Sequence, residues 1–155
     1  MSTVQNSSTA TGRITAPQAA LAGLLAGGLT VGVAELLAAL LVRFGAGGQA
    51  SPVVAVGDAF VDRTPGWLKD FAIRTFASND KVVLLASVGV VLAVLAVVAG
   101  LAARRRIEAG VGVVVLLGVV AAAAVATRPS ASPLDVLPTV IGAVLGILAL
   151  QQLVT

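Results

Sequence analysis

The sequence predicts an all-α fold: a four-helix transmembrane bundle with two short interfacial helices between the first and second spans. Hydrophobic residues make up 58% of the chain and charged residues 11%, and the mean hydropathy of +1.05 lies outside the soluble range. Four apolar runs each supply the about 20 helical residues needed to cross a hydrocarbon core of roughly 30 Å. None of the runs alternates, and an isolated strand in lipid would leave its backbone groups unpaired, so the spans are helices.

Residues 1–15, MSTVQNSSTATGRIT, are polar and rich in Ser and Thr and read as a disordered tail. The apolar run after them is too long for a signal-peptide core and has no convincing cleavage site, so it is expected to stay as the first span, 17–42. The other spans are 82–103, 109–127 and 134–154, and the membrane domain runs over 16–155. Ser132-Pro133-Leu134-Asp135 opens the last span with a capping hydroxyl, a proline at the first helical position and a carboxylate near the positive end of the helix dipole. Ser51-Pro52 and Thr64-Pro65 repeat the Ser/Thr-Pro device inside the insert, 43–81, predicting helices over Pro52–Asp62 and Pro65–Ala77.

Four of the five aromatic residues and eight of the seventeen charged ones fall between Ser51 and Lys81, so individual chemistry is concentrated there. In its second helix Trp67, Leu68, Phe71, Ala72 and Phe76 recur at spacings of three and four. Lys69, Asp70 and Arg74 point elsewhere, the pattern of an interfacial helix that lies on the bilayer or caps the bundle. A partner-docking platform made of Trp67, Phe71, Arg74 and Phe76 is the sharper reading of the same stripe.

Arg104-Arg105-Arg106 is the one dense basic cluster, and it abuts a span. The positive-inside rule assigns it to a cytoplasmic loop, which places both termini inside and the insert outside.

Cysteine and histidine are both absent, which removes disulfides, thiolate nucleophiles, imidazole bases, axial haem ligands and the usual soft metal ligands. The ten basic residues otherwise lie scattered between helices with no aromatic interleaving, which argues against nucleic acid as a partner. Asp58, Asp62, Asp70 and Asp80 fit no calcium-loop spacing, so no metal site is expected.

Glu35 is the one ionisable side chain well inside a span, where a carboxylate costs about 2.5 to 3.5 kcal/mol at a helix centre, so it should not face lipid. Gly28, Gly32, Glu35 and Ala39 follow at helical spacing and mark Gly28 and Gly32 as the stripe where another helix approaches closely, with Glu35 pointing into the bundle; the Gly23/Gly27 pair matches the same small-residue pattern. One reading makes Glu35 a proton or cation site. The other makes it structural, hydrogen-bonded to a loop amide or paired with Arg63 or Arg74. No second intramembrane acid, Asn or His forms a relay with it, which favours the structural reading.

The segment SPVVAVGDAFVDRTPGWLKDFAIRTFASNDK, above all GDAFVDRTPGWLKDFAIRTF, resembles the stretch joining the first two spans in actinobacterial membrane-bound molybdopterin-dependent oxidoreductases of the sulfite-oxidase type. The resemblance extends over the flanking apolar helices, the Arg104 cluster and ASPLDVLPTVIGAVLGILAL. In that family such a membrane domain precedes a further span and an extracytoplasmic domain that carries the molybdenum cofactor. No cysteine is present here to ligate the metal, so no cofactor or catalytic residue carries over to this chain. What the resemblance implies is a membrane anchor in the bacterial cytoplasmic membrane, with the insert as the surface for a molybdopterin-bearing domain. The sequence is then either the amino-terminal part of a longer oxidoreductase or a free-standing relative of that membrane domain, and its ending at Gln151-Gln152-Leu153-Val154-Thr155, directly after a span, favours truncation or a split gene as the expectation. The alternatives are a small proton- or cation-coupled transporter subunit using Glu35, and an assembly scaffold held by its glycine faces.

Overall fold

A computed structural model describes residues 14–45, 51–76, 80–129 and 131–155. Among these residues there are six α-helices and no strand: α1 (Ala16–Arg43), α2 (Pro52–Arg63), α3 (Gly66–Phe76), α4 (Asp80–Arg105), α5 (Ile107–Ala126) and α6 (Leu137–Val154). Four of them, α1, α4, α5 and α6 with its leading turn, are long and apolar enough to cross a membrane. The chain is a multi-pass, all-helical membrane protein. The polar tail lies outside the described residues apart from Ile14 and Thr15.

The packing explains why lipid is the expected surroundings. Only 11% of the apolar window of α4, and the same share of α5, is buried within the protein. Leu85, Val90, Val91 and Val94 on α4 and Leu116, Val119 and Val120 on α5 face outward. Apolar surface on that scale is not left to water by a soluble monomer.

The four spans form a ring in which α1 packs on α4 and α6, and α5 packs on the same two helices from the far side. Successive spans run antiparallel, so the start of α1, the α4–α5 connection and the end of α6 share one end of the bundle. The insert and the α5–α6 connection share the other.

Small residues set the spacing. Gly23 of α1 and Gly100 of α4 meet backbone to backbone, and a Cβ on either would fall 2.9 Å from the other's Cα. On α6, a Cβ at Gly142 would lie 2.9 Å from Ala34 Cβ, and one at Gly146 would lie 3.0 Å from Thr30 Cβ. Thr30 returns its own hydroxyl to Ala26 O at 2.8 Å, so its polar atom is satisfied within α1. Ala19, Ala22, Ala26, Ala34 and Ala38 complete the buried face of α1. In lipid, where apolar side chains gain little from leaving one apolar medium for another, close backbone approach of this kind drives association.

This corrects the stripe assigned from the sequence. Gly28 and Gly32 are exposed, and nothing lies within 4 Å of where their Cβ atoms would be. The Gly23 and Gly27 pair makes the contact instead, with Gly27 against Ala96. A carboxylate avoids lipid, but the side on which Glu35 lies is not the buried face of α1. The shelter of Glu35 comes from α2, so the face that packs on α4 and α6 lies elsewhere around the helix.

The last span starts with the expected cap, Ser132 before Pro133 with Asp135 in the first turn, but that turn is not α-helical. Pro133–Val136 forms a 3-10 turn before α6 begins at Leu137. Pro138 has no N–H to offer Leu134, and the amide of Leu137 bonds the Leu134 carbonyl in the tighter i→i−3 pattern.

Candidate functional site

Polar side chains inside the described structure gather where the insert meets the bundle. The first group belongs to Glu35, about two helical turns short of the end of α1. Ser51 Oγ donates to both its oxygens, at 2.9 Å to Oε1 and 2.7 Å to Oε2, and Val53 N donates to Oε1 at 2.9 Å. Ser51 is the N-cap of α2, and its hydroxyl also accepts from Val54 N at 3.2 Å. Glu35 therefore caps a neighbouring helix: a carboxylate sits on the unpaired first-turn amides, where the helix dipole is positive. Among the described residues no arginine reaches it. Arg63 Nη1 instead donates to Ala59 O at 3.2 Å, within α2.

A second link fastens the body of α2. Arg128, just past the end of α5, donates from Nη2 to Asp58 Oδ2 at 2.5 Å. The arginine side chain is only 10% exposed while that of Asp58 is 61% exposed, so the pair forms at the edge of the protein with one partner in solvent. Pairs of that exposure contribute at most about 1 kcal/mol. Their use here is positional, since Ala55, Asp58, Asp62, Thr127 and Arg128 then line a cleft of about 330 Å³ between α2 and the end of α5.

On the next connection Asp135 is buried and reaches back to Ser132 N at 2.8 Å, with Ser132 Oγ accepting from Leu134 N at 3.4 Å. The second oxygen of Asp135 and the hydroxyl of Thr139, one turn further on, are buried without a hydrogen-bond partner.

The candidate docking residues lie on α3. Trp67 and Phe71 are 72% and 59% exposed, Leu68 is exposed beside them, and Arg74 is exposed as well. The side chain of Phe76 lies outside the described residues. Among the described residues α3 rests chiefly on α4, and lightly, which leaves Trp67 and Phe71 uncovered. Gly28 and Gly32 take no part in this region.

No group of three His, Cys, Asp or Glu side chains able to hold a metal occurs among the described residues. Arg128 was not singled out by sequence reasoning, nor was Ser51 connected with Glu35. A signal for the second existed: a Ser-Pro helix start next to a span that carries one buried acid offers that acid its natural partner.

Comparison with protein-family models, curated proteins and solved structures finds no match to this chain.

Proposed function

We propose that this chain is a non-catalytic anchor and docking domain of the bacterial cytoplasmic membrane, with both termini cytoplasmic, that holds an extracytoplasmic molybdopterin-dependent oxidoreductase domain against its insert. The observation that carries the reading is the contrast between α2 and α3. α2 is tied to the bundle at its start by Glu35 and along its length by Arg128, whereas α3 presents Trp67, Phe71 and Arg74 uncovered. A rigid base with exposed aromatic and arginine side chains is the composition of an interface centre. The likeness of the insert to the membrane segment of sulfite-oxidase-type enzymes supplies the chemical class of the partner. Molybdopterin would belong to that partner, since this chain offers no thiolate.

Glu35 favours the anchor over ion transport. Both of its oxygens are engaged in holding α2, whereas a transport site must release and rebind its cation or proton.

Co-expression tests the reading. A separately made molybdenum-binding domain of the sulfite-oxidase type is expected to move into the membrane fraction when this chain is present. Trp67→Ala with Phe71→Ala should lower that recovery by about tenfold or more, the size of a central hot-spot loss. Equal recovery with and without the chain would count against docking.

A further inference from the structure

The protein's formal charge is distributed unevenly along the bundle axis. Residues 35–81 hold five acidic and five basic side chains, and the α5–α6 connection adds Arg128 and Asp135, so the insert end carries no net charge. At the opposite end Arg104, Arg105 and Arg106 face Glu108 alone, which leaves that rim at +2, and Arg13 supplies the rest of the overall +3.

The three arginines sit on a stiff turn. Arg106 is the one residue between α4 and α5, and its amide closes on Ala102 O at 2.9 Å. Gly110 keeps the two helices pressed together, since a Cβ there would lie 2.8 Å from both Ala103 Cα and Ala99 O. All three arginines are exposed, and among the described residues none forms an ion pair. α5 begins here with no side chain on its first amides, which adds the positive end of a helix dipole to the same rim. The apolar stretch Leu85–Arg105 has 21 residues, about 31 Å at 1.5 Å per residue. The span therefore brings Arg104–106 to the edge of the hydrocarbon, at the depth of lipid phosphates.

We propose that this rim binds the headgroups of anionic phospholipids, with Arg104, Arg105 and Arg106 as the contact residues. Guanidinium groups donate in a planar fork that matches a phosphate, and held at the headgroup level they select lipids whose net charge is negative over zwitterionic ones. The surface lies at the opposite end of the bundle from the docking face, so it stands or falls independently of the anchor reading.

The test uses the full chain in vesicles of about one third phosphatidylglycerol in phosphatidylcholine, extracted gently, with the retained lipid counted by native mass spectrometry. Roughly tenfold enrichment of phosphatidylglycerol over its bulk share is expected, falling to near parity at about 1 M salt, where charge is screened within a few ångströms. The triple variant Arg104→Gln/Arg105→Gln/Arg106→Gln should lose the enrichment, and the triple Lys variant should keep most of it. Parity in the unaltered protein, or full enrichment in the Gln variant, would overturn the proposal. Displacement of the lipid by inorganic phosphate at matched concentration would also overturn it, assigning the site to a free anion. The salt and phosphate arms need only the unaltered chain, so a Gln variant that fails to fold leaves the proposal testable.

Discussion

Gly23→Val is expected to destabilise the bundle by about 3 kcal/mol or more, at or above the upper end of overpacking costs. The reason is geometric. Gly23 lies against the Ala96 carbonyl and the Gly100 backbone, and backbone cannot swing aside as a side chain does. α1 and α4 must separate, and every small-residue contact along that crossing weakens with them. Gly28→Val, five residues on, meets nothing within 4 Å and should change stability by no more than about 0.5 kcal/mol. Dodecyl sulfate titration read by pulse proteolysis compares the two. Equal losses would mean that α1 packs through a different face.

The second large effect concerns Glu35. Glu35→Ala removes the acceptor for Ser51 Oγ and for Val53 N together, leaving donors at the start of α2 with no partner. Hydrogen bonds to a charged group contribute about 1.5 to 3 kcal/mol, so opening of the first turn of α2 should become easier by about 2 to 3 kcal/mol. In hydrogen exchange this appears as a roughly 30- to 150-fold loss of protection at Val53 and its neighbours, with α5 and α6 unchanged. Glu35→Gln keeps one acceptor oxygen and should fall between. If exchange in α2 is indifferent to both substitutions, the carboxylate is not what holds the insert down.

These two residues show what the sequence can and cannot express. Span lengths and helix starts follow from local rules: apolar run length against bilayer thickness, and Ser-Pro or Thr-Pro pairs that both cap and begin a helix. Which face of α1 packs is a different problem. Almost every residue from Ala19 to Ala39 is small or aliphatic, so Gly23/Gly27 and Gly28/Gly32 offer equivalent small-residue stripes, separated only by rotation about the axis. Charge points to the Gly28/Gly32 stripe, since Glu35 lies with it. A partner from outside the four spans shelters the carboxylate instead, and that contact joins positions 16 and 18 residues apart. The Arg128 to Asp58 link spans 70 residues and leaves no local trace at all. The aromatic stripe of α3 rests on local spacing, and of its members Trp67, Leu68 and Phe71 are exposed, while the side chains of Ala72 and Phe76 lie outside the described residues.

The four-span arrangement places the two ends of the bundle on opposite sides of a bilayer. The 155-residue chain contains no cysteine, so single cysteines can be placed without background. Asp62→Cys in the insert, Glu108→Cys beside the arginine turn and Val94→Cys on the outward face of α4 would be probed in sealed membranes with a maleimide that cannot cross lipid. The expected outcome is reaction of Asp62→Cys from one side, of Glu108→Cys from the other, and of Val94→Cys only after the membrane is dissolved. Labelling of Asp62→Cys and Glu108→Cys from the same side, or of Val94→Cys in the intact membrane, would contradict the four-span arrangement.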